Sequence, residues 1–107
     1  MTIPSDKIIL MIQFSSEVTS KTFFYFSSRD EVIELLLKFY EDFLCYGKNN
    51  DSLPQVKLVD LPDFLQFFYS LYDFAFLEYD TSISLYIPYG KDWFTDIIKL
   101  YFKNKSS

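Results

Sequence analysis

Hydrophobic and polar positions divide the chain into short apolar runs and longer amphipathic ones. Residues 7–14 (KIILMIQF) form a continuous apolar run of strand length, rich in isoleucine. Such a run is the pattern of a strand covered on both faces. Its two faces are Ile8, Leu10, Ile12 and Ile9, Met11, Gln13. Residues 15–20 make a polar connection of hairpin length, and residues 22–26 (TFFYF) a second strand by aromatic content. The two strands are expected to pair as an antiparallel hairpin.

The period then lengthens. Ser28-Arg29-Asp30-Glu31 opens a helix, with Ser28 as cap and Glu31 at the capping-box spacing. Asp30 and Glu31 also complement the positive end of the helix dipole. Val32, Leu35, Leu36, Phe39 and Phe43 follow the helical period and are expected to face the core. Glu34, Lys38, Glu41 and Asp42 lie on the other side, with Glu34 and Lys38 an i,i+4 pair worth roughly 0.2–0.5 kcal/mol. Ile33, Leu37, Tyr40 and Leu44 form a second apolar strip, more than one core contact needs. It is a candidate for docking a partner peptide, with burial against the second helix or the following loop as the alternative. Gly47 is placed to end the helix.

Residues 48–59 read as a loop by their Asn, Asp, Ser and Pro content. Asp60 caps a second helix with Pro62 in its first turn. Leu61, Phe64, Leu65, Phe68, Leu71 and Tyr72 line one side of it. Residues 74–79 and 83–88 are two further strands around a turn at Asp80-Thr81-Ser82. Gly90 precedes a last helix over 91–103, with Trp93, Phe94, Ile97, Ile98 and Tyr101 inward. The expected order is β-β-α-α-β-β-α in one domain, residues 1–107. The expected fold class is α+β, a four-stranded antiparallel sheet with three helices on one face.

Composition narrows the chemistry. The chain has 107 residues, half of them hydrophobic, and a net charge of −5. That excludes a disordered tail and argues against gripping bare nucleic acid, which needs clustered Lys and Arg. There is no histidine, the commonest general base and metal ligand. The single cysteine, Cys45, permits no intrachain disulfide and no thiolate zinc cluster, and lacks a histidine to activate it. Two glycines, Gly47 and Gly90, are too few for a phosphate-cradling loop. No apolar run approaches the ~20 residues of a membrane span, and the first residues lack a signal-peptide layout. The chain reads as soluble and intracellular, without cofactor or metal.

The same pattern leaves apolar surface over. The first strand is apolar on both faces and the second aromatic on both, while three helices cover one face only. An uncovered apolar sheet is rare on soluble monomers. The expectation is a homodimer through the open sheet face, packed about a two-fold axis.

The C-terminal half carries a specific pattern. Asp60, Phe67, Leu71 and Asp73 precede Leu77 and Tyr79, followed by Tyr86-Ile87-Pro88-Tyr89-Gly90-Lys91-Asp92-Trp93. Upstream lie Ile9-Leu10-Met11-Ile12-Gln13 and Lys38-Phe39-Tyr40-Glu41-Asp42-Phe43-Leu44. This resembles the enhancer of rudimentary homolog family across nearly the whole chain. The resemblance implies a small homodimeric adaptor without catalysis. Such an adaptor binds segments of RNA-processing, transcription-related or cell-cycle proteins in the nucleus, with the cytoplasm as a second compartment. It also implies that Ile9, Met11, Gln13 and Tyr86 face the second copy, with Ile8, Leu10, Ile12, Leu85 and Ile87 inward. It makes Ser28 a candidate phosphorylation site. The chain departs from the family pattern in its extra phenylalanines (Phe23, Phe24, Phe26, Phe68, Phe76), its KNKSS ending, and Gly90 where asparagine is expected.

Other motifs have plain structural readings. Lys91-Asp92-Trp93 is read as a helix start anchored by its tryptophan rather than a reactive pair. Asp73, Glu78, Asp80 and Asp96 are read as surface and turn residues rather than a cation site. The alternative function is a single-stranded RNA-binding module that stacks bases on the aromatic sheet. It needs cations among the aromatics, and the second strand has only Lys21 beside it.

Overall fold

A computed structural model describes residues 7–44 and 59–106. Its elements are β1 (Ile8–Gln13), a 3-10 turn (Val18–Ser20), β2 (Lys21–Phe26), α1 (Arg29–Leu44), α2 (Leu61–Ser70), β3 (Asp73–Asp80), β4 (Leu85–Tyr89) and α3 (Lys91–Ser106). The expected order and class are observed. The four strands form one antiparallel sheet in the order β2-β1-β3-β4. The expectations for Cys45, Gly47 and residues 48–58 lie outside the described residues.

Register sorts the sheet into two faces. Leu10 lies between Phe24 of β2 and Phe76 of β3, and Met11 between Phe23 and Ala75. Successive side chains alternate across a strand. Ile8, Leu10, Ile12, Phe74 and Phe76 therefore share a face, and all five are buried in the core with residues of the three helices. Phe74 meets Phe68 of α2 at 4.8 Å and Phe94 of α3 at 5.3 Å between ring centroids. The helices thus lie on that one side.

The arc that α1 buries is only partly the expected one: Val32 and Leu36 are buried as expected, but the arc is centred elsewhere. Ile33 and Leu37 are 0% and 1% exposed, and Tyr40 is buried too. With Val32 and Leu36 they form one broad buried face, wide because α1 packs against α2 and α3 as well as the sheet. Leu35 and Phe39 are only half-buried, and Phe43, near the last turn, is 66% exposed against Phe67. Ile33, Leu37 and Tyr40 of the strip singled out for docking are therefore core, and the outermost expected core position is surface. Leu37→Ala should cost about 2–5 kcal/mol, the range for emptying a buried leucine site. Phe43→Ala should cost a small fraction of that, as checked by urea unfolding of both variants.

Two local features explain other departures. Asp80 accepts hydrogen bonds from the Ser82 amide (2.8 Å) and hydroxyl (2.5 Å), and Ser84 sits at φ 57° in the left-handed region. The chain reverses through 81–84, so β4 begins at Leu85 and Ile83 is an exposed turn residue. Leu85 has the register of the helix-facing side, opposite Asp80, but is exposed rather than packed inward. Tyr72, expected on the inner side of α2, follows the helix and is exposed, while Phe102 joins the core unforeseen.

The start of α1 carries a variant of the expected cap. Ser28 Oγ accepts from the Glu31 amide at 3.4 Å, but the Glu31 carboxylate reaches the Ser27 amide (3.3 Å) and hydroxyl (2.7 Å) as well as the Ser28 hydroxyl (3.1 Å). Hydrogen bonds from Ser27, then Ser28, hold the Glu31 carboxyl below its ordinary value of 4.5. A depressed carboxyl stabilises the fold above its unfolded pKa, and the contribution fades as pH falls through the lower folded value. Ser27→Ala, which removes a hydroxyl partner of the carboxylate but leaves the Ser28 cap, should therefore leave stability below that window nearly unchanged and lower it above, as read from circular dichroism across an acid titration.

Candidate interaction surface

The sheet face away from the helices is built by alternation. It carries Phe23 and Tyr25 from β2, Ile9, Met11 and Gln13 from β1, Ala75, Leu77 and Tyr79 from β3, and Tyr86 and Pro88 from β4. Its centre is apolar, and no described element packs over it. One end is ringed by tyrosines, with Tyr79 and Tyr86 edge to face at 5.1 Å. The other end is a polar row, Lys21–Gln13–Asp73.

The structure brings Ile9, Met11, Gln13 and Tyr86 onto this one face but does not expose them equally. Met11 is buried among its neighbours. Gln13 is also buried, and its amide donates to the Ser15 carbonyl (2.9 Å) and, longer, to that of Glu17 (3.4 Å), closing the hairpin connection. Ile9 and Tyr86 are half-buried. The open area is supplied instead by Phe23 and Tyr25, 54% and 61% exposed. Reading the motifs alone missed both residues. The register of the hairpin supplies them, because Ile9 pairs with Tyr25 and Met11 with Phe23.

Charged side chains elsewhere hold elements together. Arg29 donates to Glu78 through Nε (2.8 Å) and Nη2 (2.6 Å), with its guanidinium carbon 5.2 Å from the centroid of Trp93. The hydrogen bonds to Glu78 raise the arginine's pKa further. This fork ties α1 to β3 and α3; the pair is partly exposed, so its stabilisation is about 1 kcal/mol at most. Lys91 Nζ donates to the carbonyls of Tyr69 (3.1 Å) and Leu71, capping the end of α2. Tyr69 Oη lies 2.7 Å from Thr95 Oγ1 and 3.2 Å from an Asp92 carboxylate oxygen. Trp93 stacks on Tyr89 at 3.9 Å and on Phe76 at 5.5 Å. The Lys-Asp-Trp block is thus a joint between α2, α3 and the sheet.

Of the carboxylates weighed as a cation site, Glu78 is held by Arg29, Asp80 by its turn, and Asp73 accepts from the Phe74 amide at 2.8 Å. Among the described residues no group of three or more Asp, Glu or Cys is placed to hold a metal. Nor is any described helix long and apolar enough to cross a membrane. A hollow of about 350 Å3 lies between α1 and α2, lined by Tyr40, Phe43, Asp63, Gln66, Phe67 and Ser70. Burial raises the Tyr40 pKa above its ordinary 10.0, reinforced by Asp63 and Asp60.

Comparison with known proteins gives a consistent picture. The family sequence model described as Enhancer of rudimentary matches residues 4–107. The chain is 30% identical over 90 residues to the protein enhancer of rudimentary of Drosophila virilis, covering 84% of each chain. It is 32% identical over 85 residues to the Arabidopsis thaliana enhancer of rudimentary homolog, covering 79% of this chain and 75% of the relative. It is 29% identical over 86 residues to enhancer of rudimentary homolog 1 of Schizosaccharomyces pombe, covering 80% and 76%. With a match this long and a fold whose elements follow the expected order, the chain belongs to the enhancer of rudimentary family.

Proposed function

We propose that this chain is a non-enzymatic homodimeric adaptor that binds segments of RNA-processing or transcription-related proteins in the nucleus. The observation that carries the reading is the apolar open face of the sheet. Its centre is contiguous across all four strands, and Phe23 and Tyr25 project from it largely uncovered. A second copy, which presents the same face, is the simplest cover and fits a two-fold arrangement. Family membership supports the adaptor role.

The mechanism is bivalency. Two identical binding positions on one dimer tether two partner segments, and the second binding event draws on a raised effective concentration. Ser28 stays a candidate for modification, since it is exposed at the start of α1. A phosphate there would meet the favourable helix end but would displace the Glu31 carboxylate from its hydroxyl partners.

Light scattering on the purified chain should return about twice 12.8 kDa at micromolar concentration. A mass of one protomer at those concentrations would remove the basis for bivalent binding. Base stacking on Phe23, Tyr25, Tyr79 and Tyr86 has weaker support. Lys21 is the cation within the face's strands, and Asp73 in the same row offsets it.

A further inference from the structure

We infer that the outer edge of β2 is a docking site for an extended segment of a partner protein, which adds a fifth strand to the sheet. The inference deepens the adaptor reading and rests on it for the nature of the partner. β2 is an edge strand, and among the described residues nothing pairs with its outer side. Every second residue of such a strand presents N–H and C=O groups outward, a template for another strand. Edges are usually blunted by proline, a bulge or an inward-pointing charge. β2 has neither proline nor bulge, and its one charge, Lys21, stands at its first position. Its six residues are KTFFYF, and its register to β1 runs one to one from Phe26 to Lys21 without a bulge. The opposite edge, β4, is shorter and contains Pro88.

Side chains beside the edge specify the occupant further. On the helix side Phe26, Phe24, Phe39 and Phe14 form a continuous aromatic ledge. Phe24 lies 6.4 Å from Phe26 and 6.0 Å from Phe39, and Phe39 lies 5.4 Å from Phe14. None of the four is fully buried. Two of them, Phe24 and Phe26, are among the phenylalanines by which the chain departs from its family pattern. An added strand would rest alternate side chains on this ledge, so those positions are apolar. The exposed first turn of α1 adjoins the end of β2 and carries Asp30 and Glu31, while the adjacent Arg29 is engaged by Glu78. With a net charge of −5 on the chain, lysine or arginine at the segment's flanks complements that end.

The test uses the full chain and an acetylated peptide of alternating valine and threonine closed by lysines. Amide hydrogen exchange is read by NMR with and without the peptide. The β2 amides that face away from β1 should slow by about tenfold or more, while the core amides of β1 and β3 stay unchanged. An analogue N-methylated on the amides of its pairing edge should give no protection. Phe24→Lys, which points a charge onto the ledge, should abolish protection while leaving the core amides slow.

Protection at the α1–α2 hollow or on the open sheet face instead, no protection at all, or edge-to-edge growth of the chain itself would overturn the inference. Its failure is separable from that of the adaptor reading. A monomer whose β2 is protected retains the edge site and loses bivalency. A dimer that captures segments away from β2 retains bivalency and loses the edge site.

Discussion

Phe76→Ala is expected to cost about 3–5 kcal/mol, the range for emptying a buried aromatic site. Phe76 is fully buried on the inner strand β3, between β1 and β4. Its ring lies 5.0 Å from Phe94, 5.5 Å from Trp93 and 6.4 Å from Tyr89, so one truncation strips contacts from α3 and β4 together. Trp93 also carries the Arg29 guanidinium over its face, so the loosening reaches the α1 joint. A domain of this size has about 5–15 kcal/mol in total, and the variant should sit near the edge of folding. Urea unfolding at one fixed protein concentration checks it, because the proposed dimer would make apparent stability concentration-dependent. A midpoint shift worth less than about 1 kcal/mol would mean that the sheet and α3 do not pack as described.

The second large effect concerns the open face. Ile9→Arg places an unpaired charge at the centre of the proposed interface, which costs about 3–5 kcal/mol, or about two to three and a half decades in the dimer dissociation constant. The expected result is a monomer or an insoluble chain. Met11→Arg should do the same, but Met11 is already buried within the protomer, so that variant also strains the protomer fold. Phe23→Arg separates the two causes. Phe23 is more than half exposed in the isolated protomer, so arginine there costs the protomer little and the dimer much. Light scattering that returns an unperturbed dimer for both Ile9→Arg and Phe23→Arg would sink the interface assignment.

These two phenylalanines show what a sequence reading separates and what it does not. Phe23 and Phe76 both stand out as surplus aromatics in strands. Nothing local distinguishes them, since each sits beside another large apolar residue, Phe24 or Leu77, that points to the opposite face. Only the register places Phe76 opposite Leu10 under the helices and Phe23 opposite Met11 on the open side. The start of α1 shows the same division. The Ser28–Glu31 spacing was legible as a cap, but that Glu31 also reaches Ser27 depends on how β2 enters the helix.

The strip Ile33, Leu37, Tyr40 is the sharper case. A helical period shows that α1 has two apolar strips, and it cannot say how many neighbours the helix has. Packed on the sheet and flanked by α2 and α3, α1 buries the strip chosen for docking. The fourth member, Leu44, closes the helix, and its side chain lies outside the described residues. By contrast Tyr89, Trp93 and Phe76 stack on one another although they come from three elements, a joint that no single window of sequence contains.

The sequence by itself determined the order of elements, their types and the caps at Ser28 and Asp60. Those follow from periodicity and capping chemistry, which act between residues a few positions apart. The tertiary structure decided which arc of α1 is buried, that Phe23 and Tyr25 dominate the open face, and that Lys91 and Arg29 serve as joints. Those depend on contacts between residues tens of positions apart, whose partners are chosen by sheet register and helix neighbours rather than by local pattern.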